Sequence, residues 1–241
     1  IMAIIDKPSD YFNTKLYTGN ASTQTISDVN FQPNLTWIKN RNGVRNHMLF
    51  DSVRGALYRL QSNTTAASAS TANTLTSWNS DGFALGSEND TNGTGATFAS
   101  WNWKAGTSVS GTSTGSGTGK AYSGSVNTTS GFSIIKYLGN GSSGHTIPHH
   151  LSAVPQFIVV KSLDRTTNWM VYHKDNGNTI YLRLNTTAAN NTATAVWNDT
   201  TPTSSVFTVG SDGDVNNNDE NYIAYCFAEK QGYSKFGTYN G

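Results

Sequence analysis

Cysteine is almost absent from this sequence of 241 residues, which contains Cys226 alone. A single cysteine excludes an intrachain disulfide, because that bond needs two thiols. Cys226 stands in the apolar run YIAYCF, and free cysteine in such a run usually packs as a small hydrophobic side chain. We therefore predict that Cys226 is buried and has no catalytic role.

Charged residues are also scarce, at 13 % of the chain against about 25 % in an average soluble domain. The net charge is +1, so the sequence lacks the basic surface that binds nucleic acid or an anionic membrane. No apolar run approaches the ~20 residues of a membrane-spanning helix. The sequence therefore predicts neither nucleic-acid binding nor membrane insertion.

What the sequence does contain is an internal repeat. Residues 63–67 (NTTAA) recur letter for letter at 185–189, an offset of 185 − 63 = 122. Upstream the offset is 120, as in the Gly-Asn pair at 19–20 and 139–140. Downstream it is 124, which matches Phe83 with Phe207, Gly86 with Gly210 and Trp103 with Phe227. Small changes of offset with hydrophobic type retained indicate a duplicated module, and a period near 120 residues suits a whole domain.

The repeat divides the chain into a first module at residues 1–105 and a second module at residues 130–232. Residues 106–129 between them begin with a run of Gly, Ser and Thr, which is the composition of a flexible linker. Residues 233–241 keep the Tyr–Tyr spacing found near the start of the first module. They predict either the start of a third repeat or a closing strand of the second module.

Each module contains about eight short runs that are typical of β-strands, alternating or continuously apolar and bounded by Gly, Asn, Pro or Asp. Two such runs, 74–78 and 193–197, occupy corresponding places in the modules. Helical periodicity is absent, and only residues 62–73 would accommodate a short helix or a long loop. The sequence predicts an all-β fold, with two tandem antiparallel β-sandwich modules of the jelly-roll type joined by the Gly/Ser/Thr linker.

One acidic loop, SDGDVNNNDE, has carboxylates and amides at alternate positions, as calcium-binding loops do. An EF-hand is excluded, because Asn217 stands where that loop needs glycine and Ile223 where it needs its last glutamate. Asp212, Asp214 and Asp219 remain candidate ligands of a Ca²⁺ ion, and a solvated hairpin tip is the simpler alternative. The sequence predicts no other cofactor.

The sequence shows no catalytic constellation. His145, His149 and His150 cluster, but adjacent residues of a strand point to opposite faces, so we expect roles in packing or turns. Carboxylates are few and mostly stand beside Gly or Asn, where Asx turns account for them. The chain has no nucleophile elbow and no glycine-rich phosphate loop. We predict that it is not an enzyme.

Two Trp-Asn pairs recur in the repeat, Trp78 with Asn79 and Trp197 with Asn198. If they are buried, these tryptophans anchor the two cores. If they are exposed, a tryptophan beside an asparagine is suited to stack on a sugar ring and to bond its hydroxyl groups. The pairs are therefore candidate ligand-binding residues, and the sequence leaves both interpretations open.

Five motifs are distributed over almost the whole chain. They are YFNTKLYTGN at 11–20, FQPNLTWIK at 31–39, LFDSVRG at 49–55, SDGF at 80–83 and YIAYCFA at 222–228. With these motifs the chain resembles a family of phage virion proteins, the tandem β-rich modules of tail-fibre-like proteins in marine tailed phages. The stretch from His150 and Leu151 through Pro155 to Lys161 also resembles a turn that is common in phage fibre domains. Ser152 is a minor departure from it, because glycine usually follows the His-Leu pair. No activity is established for the family, so the resemblance implies no catalytic residue.

The resemblance implies a structural or adhesive protein on the virion surface, a tail fibre or spike or a capsid decoration, assembled in the bacterial host cytoplasm. The implied partners are other virion proteins, a host-surface glycan and further copies of the chain, as a trimer if it is a fibre. The alternative is a carbohydrate-binding, lectin-like module of a cell-surface adhesin. A polysaccharide depolymerase is disfavoured, because few carboxylates cluster. Ile1 before Met2 favours a segment cut from a longer chain, and a residue added at the N-terminus for expression is the alternative.

Overall fold

The computed structural model describes residues 4–239, which form two compact units. The N-terminal unit consists of residues 7–105. The C-terminal unit consists of residues 106–239 together with residues 4–6. The predictions about Ile1 and Met2, and the end of the segment 233–241, lie outside the described residues.

The N-terminal unit, described throughout, consists of nine strands and two single helical turns. A 3-10 turn spans Pro8–Asp10 and is followed by β1 (Phe12–Thr18), β2 (Gln24–Ile26), β3 (Leu35–Asn40), β4 (Met48–Asp51), β5 (Tyr58–Gln61), β6 (Ala69–Ser70), β7 (Leu75–Asn79), β8 (Gly82–Leu85), α1 (Asn89–Asn92) and β9 (Thr97–Trp103).

Two antiparallel sheets enclose the core of the N-terminal unit. The larger has the order β1-β9-β3-β4-β5-β6, and the smaller has the order β2-β8-β7. Ile38 and Phe98 from the larger sheet meet Leu75 and Phe83 from the smaller in one buried cluster. Two sheets that share a core in this way form a β-sandwich.

The described part of the C-terminal unit has eleven strands and two helical turns. They are β10 (Thr107–Thr112), β11 (Thr114–Gly115), β12 (Ala121–Asn127), β13 (Phe132–Leu138), β14 (His145–Pro148), β15 (Phe157–Ser162), β16 (Met170–His173), β17 (Ile180–Arg183), β18 (Asn191–Thr192), α2 (Thr194–Trp197), β19 (Val206–Val209), α3 (Gly213–Asn216) and β20 (Asn221–Phe227).

The C-terminal unit has the same two-sheet organisation. Eight strands have the order β10-β12-β13-β20-β15-β16-β17-β18, and three have the order β11-β14-β19. Ile135 and Ile158 from the larger sheet share a buried cluster with Ile147 and Phe207 from the smaller.

The prediction of an all-β fold is confirmed. Aromatic and β-branched residues fill strands such as β15 (FIVVKS) and β20 (NYIAYCF), where such side chains suit a pleated, buried surface. The α-helices have four residues each, and no helix in the described part of the chain is long and apolar enough to span a membrane. One expected strand is wrong, because residues 193–197 contain the helical turn α2, which ends at Asn198 with a left-handed φ of 53°.

The two units share one strand order, which supports the predicted duplication. The order β1-β9-β3-β4-β5-β6 corresponds element by element to β13-β20-β15-β16-β17-β18. The registers also correspond, since Phe12 faces Trp103 in one unit and Phe132 faces Phe227 in the other. These pairs differ by 120 and 124 positions, the offsets read from the sequence.

The prediction of a flexible linker at residues 106–129 is corrected by the structure. This segment forms β10, β11 and β12, and β12 pairs with β13 over six residue pairs from Tyr122↔Tyr137 to Asn127↔Phe132. Threonine, serine and glycine are common in linkers, but threonine also favours strands. The C-terminal unit therefore begins at residue 106, not at residue 130.

The two ends of the described chain pack on the C-terminal unit. Ile5 N donates to Gln231 O at 3.1 Å. Residues 4–6 therefore belong to the C-terminal unit, whereas the sequence predicted them in the first module. Residues 235–239 form no strand, and Phe236 stacks on Phe157 with ring centroids 5.7 Å apart. Within the described residues, this end is a packed tail and not a closing strand.

Gly124 in β12 offers a test of whether residues 106–129 are folded. A Cβ atom at this position would lie 2.6 Å from Cδ1 of Ile135 and would also contact the Ile134 carbonyl oxygen. Overpacking of this kind usually costs ~1–3 kcal/mol. We expect Gly124→Ala to lower the free energy of unfolding by that amount in urea denaturation.

Gly237→Ala is the matched control, because a Cβ atom there meets nothing within 4 Å. Equal stability of both variants and the unmodified chain would contradict the folded β10–β12 segment.

Candidate functional site

A buried asparagine organises the loops at one end of the C-terminal unit. Asn216, the last residue of α3, is fully buried. Its Nδ2 donates to Gly210 O at 2.7 Å and to Ser142 O at 2.9 Å, and its Oδ1 accepts from Asn140 N at 3.0 Å. One side chain therefore connects the β13–β14 loop to the β19–β20 loop and pairs three backbone groups that would otherwise have no partner.

The N-terminal unit contains the same arrangement around Asn92, the last residue of α1. Its Nδ2 donates to Gly86 O at 2.8 Å and to Ser22 O at 2.6 Å, and its Oδ1 accepts from Asn20 N at 3.0 Å. Every partner differs by 120 or 124 positions from its counterpart around Asn216. The matched Gly-Asn pair and Gly86 with Gly210 were the sequence signal, but sequence reasoning did not find the two central asparagines.

A paired tyrosine supports each buried asparagine. Tyr17 Oη donates to Thr91 O and Tyr137 Oη donates to Val215 O, both at 2.7 Å. Burial raises the pKa of both hydroxyl groups well above their usual value, so both stay protonated donors at neutral pH.

The C-terminal unit adds a hydrogen-bonded chain from Ser113 through His145 to Asn216. The His145 Nδ1 atom lies 2.9 Å from Asn216 Oδ1, and its Nε2 atom lies 2.6 Å from Ser113 Oγ. An amide oxygen only accepts, so Nδ1 carries the proton and Nε2 accepts from the hydroxyl group. Burial is the main cause that lowers the pKa of His145.

This chain has the order of nucleophile, base and orienting group found in hydrolases. Ser113 is only 2 % exposed, and its Oγ also accepts from Lys120 N at 2.9 Å. A hydroxyl group enclosed in this way does not reach a substrate carbonyl. The arrangement instead connects the β10–β12 segment to the loops around Asn216.

The predicted calcium ligands do not come together. Asp212 caps α3 by accepting from Asp214 N at 2.8 Å, whereas Asp219 is exposed and pairs with Lys120 Nζ at 2.5 Å. Within residues 4–239, no group of three or more His, Cys, Asp or Glu side chains is arranged to hold a metal ion. The acidic run supplies the helical turn α3 and its cap, and a calcium site at Asp212, Asp214 and Asp219 stays a prediction.

The two Trp-Asn pairs also differ from a sugar-binding surface. Trp197 is 2 % exposed and packs edge-on against Tyr172, with ring centroids 6.1 Å apart. Trp78 is half-buried and packs against the N-terminal core. Asn198 ends α2 and donates to Thr200 Oγ1 at 3.3 Å, and Asn79 is half-buried at the end of β7. The structure thus favours the core interpretation of the tryptophans.

Two further reactive groups are enclosed. The Lys161 ammonium donates to Ser162 O, Arg165 O and Thr167 Oγ1 at 2.9, 3.0 and 3.3 Å, so all three of its protons have acceptors. Burial lowers the pKa of Lys161 to about 8, against an opposing effect of Asp214. Burial also raises the pKa of the Cys226 thiol to about 12, which keeps it protonated.

The comparisons with known proteins place both units in one family. Residues 7–241 match the model described as Domain of unknown function (DUF7483). The chain belongs to this family. The match runs through both units, so the family model covers the pair and not a single copy of the repeat. Comparison with curated proteins gave no match, and comparison with solved structures gave none.

Replacing the central asparagine tests its role in the loops. Asn216→Ala leaves two carbonyl groups, the Asn140 N–H and the His145 N–H without their partner, and each unpaired buried group costs ~1–3 kcal/mol. We expect a loss of at least ~3 kcal/mol in chemical denaturation, and a loss of similar size for Asn92→Ala.

Asn218→Ala is the control for this pair, because Asn218 is exposed and bonds only its neighbour Asp219. A cost below ~1 kcal/mol for the two buried positions would refute the proposed role of the amides.

Because of His149, we expect the stability of the folded chain to be sensitive to acid. Its Nε2 donates to Thr203 O at 3.1 Å and its Nδ1 accepts from Leu151 N at 3.2 Å, so the folded ring is neutral. Burial lowers its pKa to about 4. The unfolded chain, with a histidine pKa of about 6.5, takes up the proton first, so stability falls by ~3 kcal/mol as the pH drops from about 6.5 to 4.

Urea denaturation across this pH range provides the measurement. His149→Gln removes the titrating group, so its stability should depend less on pH than that of the unmodified chain. The same change at half-exposed His173 is the control. An unchanged pH dependence in His149→Gln would rule out this origin of acid sensitivity.

Proposed function

We propose that this chain is a structural protein on the surface of a phage particle. It serves as part of a tail fibre or spike, or as a capsid decoration, and it contributes to particle assembly and to attachment to the host surface. The proposal rests on the resemblance of the five sequence motifs and on the positions of their residues in the fold.

The carboxylates of these motifs have internal partners. Asp51 and Arg54 of LFDSVRG form a buried ion pair in which Arg54 Nε lies 2.5 Å from Asp51 Oδ2. Asp51 Oδ1 also accepts from Val53 N at 3.1 Å. Asp81 of SDGF accepts from Asp28 N at 3.0 Å and from Asn30 N at 2.5 Å. These side chains hold loops in place.

The apolar motifs also build the framework. YIAYCFA coincides with β20, which lies between β13 and β15 in the larger sheet of the C-terminal unit. YFNTKLYTGN contains β1 and the Gly-Asn pair that meets Asn92. The observation that carries the proposal is that the motif residues of the resemblance serve the scaffold, which supports a structural role over a chemical one.

Contact with a host or with a neighbouring virion protein would then be made by loops. The loop between β3 and β4 is exposed, and Val44 is fully exposed between the exposed residues Arg41 and Arg45. Arg45 Nη1 already lies 3.5 Å from Asp90 Oδ1. Arg41 therefore remains as the cation beside this apolar side chain, and the two suit a partner with an apolar patch and an acidic group.

Gold-labelled antibody against this chain, applied to purified particles of the phage that encodes it, tests the proposal by electron microscopy. We expect label on the particle surface, because the chain is proposed to be a stoichiometric surface component. Label at the tail tip would assign it to a fibre or spike, and label over the head would assign it to capsid decoration.

Mass spectrometry of the same particles is the control for antibody access. The virion proposal fails if the chain is absent from the particle proteins. Antibody against the major capsid protein verifies that surface epitopes survive the preparation.

A further inference from the structure

The two units differ at one edge of their larger sheets. In the C-terminal unit, β13 lies between β20 and β12. In the N-terminal unit, the equivalent strand β1 pairs with β9 on one side and has no strand on the other within the described residues. Within the described residues, the edge that β12 covers in one copy of the repeat carries no strand in the other.

The register identifies the open backbone groups of β1. Lys104 N donates to Tyr11 O at 2.9 Å and Gly19 N donates to Ala96 O at 2.8 Å. Backbone groups alternate in direction along an antiparallel strand, so the odd-numbered residues between these ends face β9. The N–H and C=O groups of the even-numbered residues point away from the sheet.

The same groups are occupied in β13. Gly139 N donates to Glu220 O at 2.9 Å, so odd-numbered residues of β13 face β20. The even-numbered residues, which stand 120 positions after those of β1, face β12. The C-terminal unit thus shows the kind of partner that this edge takes, an antiparallel strand.

Strand β1 carries little of the protection that proteins usually place on an open edge. Such edges are blunted by proline, by bulges or by charged side chains, especially lysine. Strand β1 has no proline, pairs with β9 without interruption and has one charge, Lys15, whose Nζ donates to Asp28 O at 3.2 Å. Leu16 in its centre is 62 % exposed.

We propose that β1 is a pairing surface that joins two copies of this chain, β1 against β1, in antiparallel orientation. With Leu16 opposite Leu16, Thr14 lies opposite Thr18, and Lys15 lies opposite Tyr17. Threonine pairs and apolar pairs across strands are stabilising, and no two like charges face each other in this register. One two-fold axis then joins two six-stranded sheets into a twelve-stranded one.

Two local contacts must adapt in this pairing. Thr14 N donates to Asn13 Oδ1 at 2.9 Å, so this hydrogen bond must break before the Thr14 N–H can donate to the partner strand. Thr18 O accepts from Gln24 Nε2 at 3.1 Å and has a second lone pair for the partner strand. The Leu16 N–H and C=O groups face the open edge.

Strand β10 is an edge strand of the larger sheet in the C-terminal unit. Its sequence TSVSGT contains glycine and serine and offers no large side chain to a partner. Pairing of β1 with β10 of another copy would be a heterologous contact, which generates a ring or a filament and not a two-fold dimer. Self-complementarity therefore favours β1 with β1, and the inference does not depend on a virion location.

Cysteine cross-linking of the full chain tests both the pairing and its register. Opposite Cα atoms of a hydrogen-bonded pair lie about 5.5 Å apart, within disulfide range, so Leu16→Cys should cross-link into a covalent dimer under mild oxidation. Thr18→Cys, on the same exposed face, should not, because its two copies would be roughly 14 Å apart. Cys226 is buried and protonated, so it does not contribute.

Sedimentation of the chain without added cysteines supplies the second measurement. We expect a dimer that Leu16→Pro and Leu16→Lys convert to monomer, with an unchanged circular dichroism spectrum and a melting temperature that no longer depends on protein concentration. Leu184→Lys, at an exposed apolar residue outside β1, should stay dimeric.

Three results would overturn the proposal: a monomer at every concentration, equal cross-linking at both cysteine positions, or an oligomer that survives both Leu16 variants. Growth into rings or filaments, which a two-fold contact does not produce, counts among the oligomers of the third result.

Discussion

The side-chain amide of one buried asparagine fixes the loops at one end of each unit. Asn92 and Asn216 stand at the ends of single helical turns, and those turns aim the amide inward. Each amide accepts from the backbone N–H of a residue more than seventy positions away in sequence. An unpaired buried carbonyl or N–H costs ~1–3 kcal/mol, so the loops settle where the amide can reach them. The same arrangement of the loops also fits the hydrogen bond of the tyrosine beside each amide and the registers of the strands.

Much of the fold was predictable, because strand positions follow side-chain type. The sequence offsets of 120 and 124 reappear in the strand pairing, since Phe12 pairs with Trp103 in one unit and Phe132 pairs with Phe227 in the other. The amide networks were not predictable in the same way. Asn216 lies in a run of polar residues, and the local sequence does not show whether the side chain of such an asparagine is buried or solvated. Only its paired position with Asn92 distinguishes it.

The differences between the sequence-based predictions and the structure have separate physical causes. Residues 106–129 have a linker's composition, but β13 offers them an edge, and pairing overrides composition. The segment before Asn198 alternates like a strand, but it turns helical where the C-terminal unit has α2 and the N-terminal unit has β7. The carboxylate of Asp219 pairs with Lys120, a residue ninety-nine positions away, and no local pattern reports such a partner.

A shared strand order also affects how the chain folds. Two copies of one topology create two incorrect long-range pairings, β1 with β20 and β13 with β9, and repeat proteins commonly misassemble in this way. The β12–β13 hairpin has a four-residue connection, so it closes locally and early, before either strand meets a distant partner. Once β12 occupies one side of β13, only one side stays open for a distant strand. The hairpin therefore limits β13 to a single distant partner, which is β20 in the folded chain.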